Sequence, residues 1–204
     1  WEDLKGRKVL GGRKGGMPEM VFEYILKKNG LDPEKDLSID QSIDFGATAA
    51  AFTGDDSADF TVEFEPSATA LEKQGAGYVV ASLGVDSGYV PYTSYSARTS
   101  YMEKNPDIMQ KFTNALQKGM DYVQSHTPDE IAEVIEPQFP ETDLDTITAI
   151  VTRYYEQDTW KEDLIFEQDS FDLLQNILEE AGELPAWTPY DDLVNTEFAV
   201  QAVR

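Results

Sequence analysis

The chain has 204 residues, with 39 Asp or Glu against 16 Lys or Arg, for a formal net charge of −23. So acidic a surface repels nucleic acid and anionic membranes, and the absence of cysteine removes disulfides, thiolate nucleophiles and thiolate zinc sites. A hydrophobic content of 41% marks a globular chain with enough apolar residues for a buried core, and a lone histidine excludes metal sites built on two or more imidazoles.

Residues 8–30 are the most organised stretch. The apolar run Lys8, Val9 and Leu10 predicts a strand, the glycines at 11, 12, 15 and 16 a tight turn, and the residues from Met17 a helix. Pro18 suits a first helical turn, where its missing N–H costs nothing, and Glu19 suits the positive end of the helix dipole. Val21, Phe22, Ile25 and Leu26 make one apolar face, and Gly30 stops the helix. A strand, a glycine turn and a helix N-terminus together offer N–H groups to an anionic or polar group. Such turns also serve plain chain reversal. Neither Walker nor GxGxxG spacing is present, which excludes the standard nucleotide loops.

Downstream, residues 37–43 alternate apolar and polar and predict a second strand. Residues 46–52 are small and helix-forming, and Asp55 and Asp56 lie in the turn after them. Residues 58–62 predict a third strand, Glu65-Pro66 opens a helix that Gly75 stops, and the β-rich run at 78–82 predicts a fourth strand. This β-α-β-α-β-α-β order implies an α/β class with a parallel or mixed sheet flanked by helices. Residues 87–97 are aromatic and interrupted by Pro91, and read as an extended strand crossing between two lobes. The remainder is helical: 107–125 with a core-facing stripe, a capped segment at Thr127 and Glu130 broken by Pro137 and Pro140, then 143–157, 168–181 and a closing segment at 190–203.

In an open α/β sheet a ligand cleft lies beyond the carboxyl ends of the strands. Three such ends carry the candidate binding residues: Gly12, Arg13, Lys14, Gly15, Gly16 and Met17 after the first, Gly46 and Thr48 after the second, Glu63 and Glu65 after the third. Tyr92, with Tyr89 and Tyr95 beside it, offers a flat face and a hydroxyl from the crossing segment. Arg13 and Lys14 favour an anionic solute, whereas Glu63 and Glu65 favour an amine, and both readings stay open. Asp143 and Asp145 fit no calcium-loop spacing and read as solvated turn residues. His126 has no acidic or serine partner nearby in sequence and no G-x-S-x-G is present, so no enzyme, metal or cofactor is expected.

The segments WEDLKGRKV with the glycine turn, GLDPEKDLSI, SADFTVEFEPSATALEKQG, YVVASLG, YTSYSARTSYMEKNPDIMQKFTNAL and PYDDLVNTEFA, in that order, resemble the solute-binding proteins of ABC importers in the nitrate/sulfonate/taurine and thiamine-precursor (pyrimidine) group. The resemblance implies a two-lobed periplasmic-binding-protein-like (type II) fold, with one complete lobe at about 1–90 and a crossing strand plus the mostly helical, incomplete return part of the other lobe at 91–204. It also implies a small-molecule solute, ABC permease subunits as partners, and an extracytoplasmic place as a periplasmic or lipid-anchored protein. The residues of 12–17 would then be the loop that meets the solute, with Glu63 and Glu65 beside it. The family's amino-terminal segment and lipoprotein signal are not matched, and the core this would expose invites dimerisation. The family's pyrimidine-synthesising branch relies on a cysteine-rich motif that this chain lacks. The alternative is the effector-sensing domain of a regulator on the same fold, although no helix-turn-helix or basic segment is visible.

Overall fold

The structure is a computed structural model that describes residues 1–54 and 57–202. The turn expected at Asp55 and Asp56, and the last two positions, lie outside the described residues. The described chain forms two compact units. The first comprises Trp1–Val90 with Leu173–Ala186, and the second Pro91–Asp172 with the residues from Trp187 onward.

The first unit is built on a parallel sheet. Strand β1 (Lys8–Leu10) is central, flanked by β2 (Ser38–Asp40) and β3 (Phe60–Thr61), in the order β2-β1-β3. The register sets Val9 opposite both Ile39 and Phe60. Parallel neighbours require crossovers, and helix α1 (Met17–Lys28) supplies the first of them. Its apolar stripe is wide enough to serve two contacts. Phe22 and Leu26 face a core of Leu4, Val9, Leu31, Leu37 and Val62, while Met20, Val21 and Ile25 close on Ile177. Ile25, Leu26 and Ile177 are fully buried, each contributing about 1.5–3 kcal/mol of burial free energy. Helix α2 (Thr48–Gly54) follows a single 3-10 turn at Phe45–Ala47, and α3 (Ser67–Lys73) follows β3. Gly30 ends α1 with a φ of +77°, as its position in the sequence implied.

The fourth strand expected at 78–82 does not form. Tyr78 and Val80 are exposed, and no strand of the described residues pairs with this run. The Val79 N–H instead donates to the Glu72 carboxylate at 2.9 Å, and Ser82 caps a short helix α4 (Leu83–Ser87) by accepting from the Val85 N–H. β-branched residues register a fit to a pleated neighbour, and without one the same residues stay irregular. The crossing segment likewise contains no strand among the described residues: the chain from Gly88 to Arg98 is irregular.

The second unit is helical, with α5 (Thr99–Lys104), α6 (Pro106–Ser125), α7 (Pro128–Ile135) and α8 (Leu144–Glu156). Helix α9 (Gln168–Glu180) starts here and enters the first unit at Leu173, and α10 (Tyr190–Leu193) and α11 (Glu197–Ala202) follow. The capping box forms as the sequence predicts: the Thr127 N–H donates to Glu130, and the Glu130 N–H to the Thr127 hydroxyl. Asp143 is more than a solvated turn residue, since it accepts from the Thr146 N–H at 2.9 Å and caps α8. Against the sequence expectation, His126 has a serine partner beside it: its Nδ1 lies 3.0 Å from the Ser125 hydroxyl, and its ring stacks on Tyr122 with centroids 3.6 Å apart. Ile131, Ala132, Ile147 and Val151 form the buried seam between α7 and α8.

A repeat of seven residues on α6 holds irregular chain against that helix. The Nε2 groups of Gln110, Gln117 and Gln124 donate to the carbonyls of Phe198, of Glu162, and of Trp160 and Lys161 respectively. Two helical turns separate successive members, so all three lie on one face. Main-chain carbonyls that belong to no ladder are thereby satisfied.

Candidate functional site

Parallel strands send their carboxyl ends to one edge, and the loops after β1, β2 and β3 meet there. The Gly11 N–H donates to Asp40 O at 3.0 Å, the Lys14 N–H to Gln41 O at 3.3 Å, and the Val62 N–H to Leu10 O at 2.9 Å. The loop from 12 to 17, Gly46 and Thr48, and Glu63 therefore lie on one edge of the first unit. Tyr92 belongs to the second unit, where it is exposed.

The glycine loop is braced from below by a carboxylate. Glu19, in the first turn of α1, is 2% exposed. Its Oε2 accepts from the Gly15 N–H at 3.1 Å, and its Oε1 from Gln41 Nε2 at 2.7 Å. The same Gln41 amide donates to Glu23 Oε1 at 2.9 Å. Burial, then the hydrogen bond and charge of Glu23, push the Glu19 carboxyl up to about 7, against the pull of Gly15 and Gln41. The sequence reading placed Glu19 only as a dipole partner and passed over Gln41. A glutamate at the third position of a helix behind a glycine turn was the available signal.

Sequence reasoning expected free N–H groups along this loop, and three of the six at 12–17 are already used. Gly15 donates to Glu19, Lys14 to Gln41 and Gly16 to the Arg13 carbonyl. What the loop presents outward is charge. Arg13 and Lys14 are exposed, and their side chains have no hydrogen bond or ion pair with any described residue. Met17 is half-buried and packs against the Met20, Val21, Ile25 and Ile177 cluster.

Two phenylalanines roof the loop. Phe45 follows β2 and Phe64 follows β3, the strands on either side of β1, yet their ring centroids are 5.2 Å apart. They meet over the end of β1. A Cβ on Gly12 would come within 2.3 Å of the Phe45 ring, and Gly12 has a φ of +79°. Glycine is required there on both counts. Gly46, by contrast, is exposed with open space around its α-carbon. Neither phenylalanine was singled out from the sequence, although each sits just past a predicted strand end.

The two carboxylates after β3 have separate tasks. Thr61 Oγ1 donates to Glu63 Oε1 at 2.8 Å. Burial raises the Glu63 carboxyl above its usual range, opposed by the Thr61 and Thr48 hydroxyls. Thr48 is fully buried and donates to the Phe45 carbonyl at 2.9 Å, which ties the aromatic roof to the start of α2. Glu65 serves α3: its Oε2 accepts from the Thr69 N–H and its Oε1 from the Thr69 hydroxyl, both at 3.0 Å. The flanking carboxylates thus serve different neighbours. Glu183 borders the loop at Gly15, its Oε1 3.1 Å from where a Cβ on that glycine would lie. An open depression of about 320 Å³ in the same unit is lined by Lys8, Leu10, Asp40, Ile43, Ala51, Gly54 and Ala58, and none of the expected contact residues is among them.

Comparison with known proteins places this edge inside a shared sequence pattern. The chain matches the family described as "NMT1/THI5 like" over residues 1–131, which contains every loop of the site. It is 43% identical over 199 residues to the protein named "Putative binding protein YtlA" of Bacillus subtilis (strain 168). That match covers 98% of this chain and 59% of the relative, so the chain spans about three-fifths of that protein's length. A solved structure of a Bordetella bronchiseptica RB50 protein superposes with a TM-score of 0.62 at 21% identity, over 98% of this chain and 64% of that one. At that identity the likeness establishes a common fold, and it bears out the α/β class with a parallel sheet. No helix among the described residues is long and apolar enough to cross a membrane. The chain belongs to the NMT1/THI5-like family.

Proposed function

We propose that this chain is the greater part of a solute-binding protein that captures a small organic molecule and passes it to an ABC permease outside the cytoplasm. In this reading residues 1–90 are the second lobe, residues 91–204 are the irregular crossing segment and return portion, and the protein binds rather than catalyses. The family match and the relative named as a binding protein support it. The observation that carries it is the sheet edge, where a braced glycine loop, two cations without a partner among the described residues and an aromatic pair converge. Arg13, Lys14, Gly46 and Glu63 are the contact residues within it, with Gly12, Gly15, Gly16, Met17 and the buried Thr48 setting the backbone. Glu65 completes the set through α3.

Of the sulfonate, nitrate and aminopyrimidine classes, the geometry favours an anion. Arg13 and Lys14 are uncommitted, whereas Glu65 is engaged by Thr69 and Glu63 by Thr61. The test is isothermal titration of the chain with nitrate, methanesulfonate, taurine and an aminopyrimidine. A charged hydrogen bond contributes about 1.5–3 kcal/mol, so the Arg13→Ala/Lys14→Ala variant is expected to weaken anion binding at least about tenfold. Its melting temperature should stay that of the parent, because neither side chain supports the fold. Tight aminopyrimidine binding that ignores both substitutions would reverse the charge assignment.

A further inference from the structure

The sheet edge carries more information about the solute than its charge. Resting on the solute-binding reading above, we infer that the solute is an organic anion with a flat aromatic body, which lies on Phe64 and Phe45 while its anionic group meets Arg13. Three observations lead there. The amide groups at Lys14, Gly15 and Gly16, three of the six at 12–17, are already hydrogen-bonded within the protein, and Phe45 lies over Gly12, which narrows what the loop offers a compact anion. The carboxylates of Glu63 and Glu183 border the same edge and oppose an ion held by charge alone. Aromatic and cationic side chains approach each other at the loop: a Cβ on the buried Gly16 would lie 3.6 Å from Arg13 Cγ and 3.7 Å from Phe45 Cε2, so the arginine stem and the ring flank the same glycine.

Phe64 is 40% exposed, although its ring touches that of Phe45. An aromatic pair with the stem of an exposed arginine close by, whose guanidinium has no partner among the described residues, suits a ligand with one apolar face and one negative end. The ring gains by burying its face, and the anion gains a planar donor fork. Nitrate and short alkyl sulfonates offer only the second gain.

Calorimetric titration at constant ionic strength with benzenesulfonate and with methanesulfonate separates the two contributions. Benzenesulfonate is expected to bind about tenfold tighter to the parent chain. Phe64→Ala should reduce that ratio to near one, and Arg13→Ala should weaken both anions alike and preserve it. Thermal unfolding of both variants verifies that they are folded. Equal affinity for the two sulfonates, or a preference for benzenesulfonate that survives Phe64→Ala, overturns the aromatic assignment and leaves the solute-binding reading standing. Binding of neither sulfonate overturns the assignment too, and if nitrate, taurine and an aminopyrimidine also give no heat, the solute-binding reading falls with it.

Discussion

Gly12→Ala is expected to destabilise the protein by about 2–4 kcal/mol, one of the two largest effects foreseen for this chain. Two costs add. A φ of +79° places an L side chain in the left-handed region, at about 1–2 kcal/mol. The new methyl would also meet the Phe45 ring at 2.3 Å, so the ring must shift and its contact with Phe64 is disturbed. Chemical denaturation of the single variant, of Phe45→Ala and of the pair separates the contributions. The double variant should be less destabilised than the sum of the two, because removing the ring relieves the clash and leaves only the backbone cost. Strict additivity would mean that the ring does not occupy the space over Gly12. Gly46→Ala is the control, since nothing lies within 4 Å of a Cβ there, and it should change stability by no more than about 0.5 kcal/mol.

Glu19 makes stability depend on pH in a direction opposite to that of most carboxylates. Its carboxyl is held near 7 in the folded protein, against an ordinary 4.5, so folding takes up a proton between those values. Below about 4.5 both states are protonated and the group costs nothing. As pH rises through the window the unfolded chain ionises first, and above 7 the folded state bears a penalty of about 3 kcal/mol. Glu19→Gln removes the titration. The melting temperature of the parent should fall relative to that of the variant between pH 5 and pH 8, with the two curves diverging toward the alkaline end. Taking the difference cancels the general repulsion of a chain carrying a net charge of −23, which acts on both proteins. Parallel curves would show that Glu19 ionises normally and that Gln41 and Gly15 compensate its burial. The same residue grips the Gly15 N–H, so it is a positioning residue for the loop in addition to a titrating one.

The elements that the sequence specified well are those whose signals are local. The glycine turn, the stripe of α1, the stop at Gly30 and the capping box at Thr127 each depend on residues within a few positions, and each is found where expected. The fourth strand and the crossing strand failed because strand formation needs a neighbour, and composition at 78–82 or 87–97 carries no information about one. The site shows the same division. Convergence of the three loops followed from the carboxyl-end rule, whereas their interior wiring did not. The pairing of Phe45, which covers Gly12, with Phe64 joins residues distant in sequence, and the bonds from the Gly15 N–H to Glu19 and from the Thr69 N–H to Glu65 depend on how the local backbone turns. The alternating pattern around Phe64 marked Glu63 and Glu65 as equivalent, but the chain bends into α3 after β3 and gives them different partners.

The most direct test of the proposed site is backbone amide shift mapping of the ¹⁵N-labelled chain during titration with benzenesulfonate. The account predicts that the largest shifts cluster on residues 12–17 and around Phe45, Thr48 and Phe64, with saturation at a single dissociation constant. Saturable shifts confined to the helices α6 to α8, with the glycine loop unmoved, would contradict it.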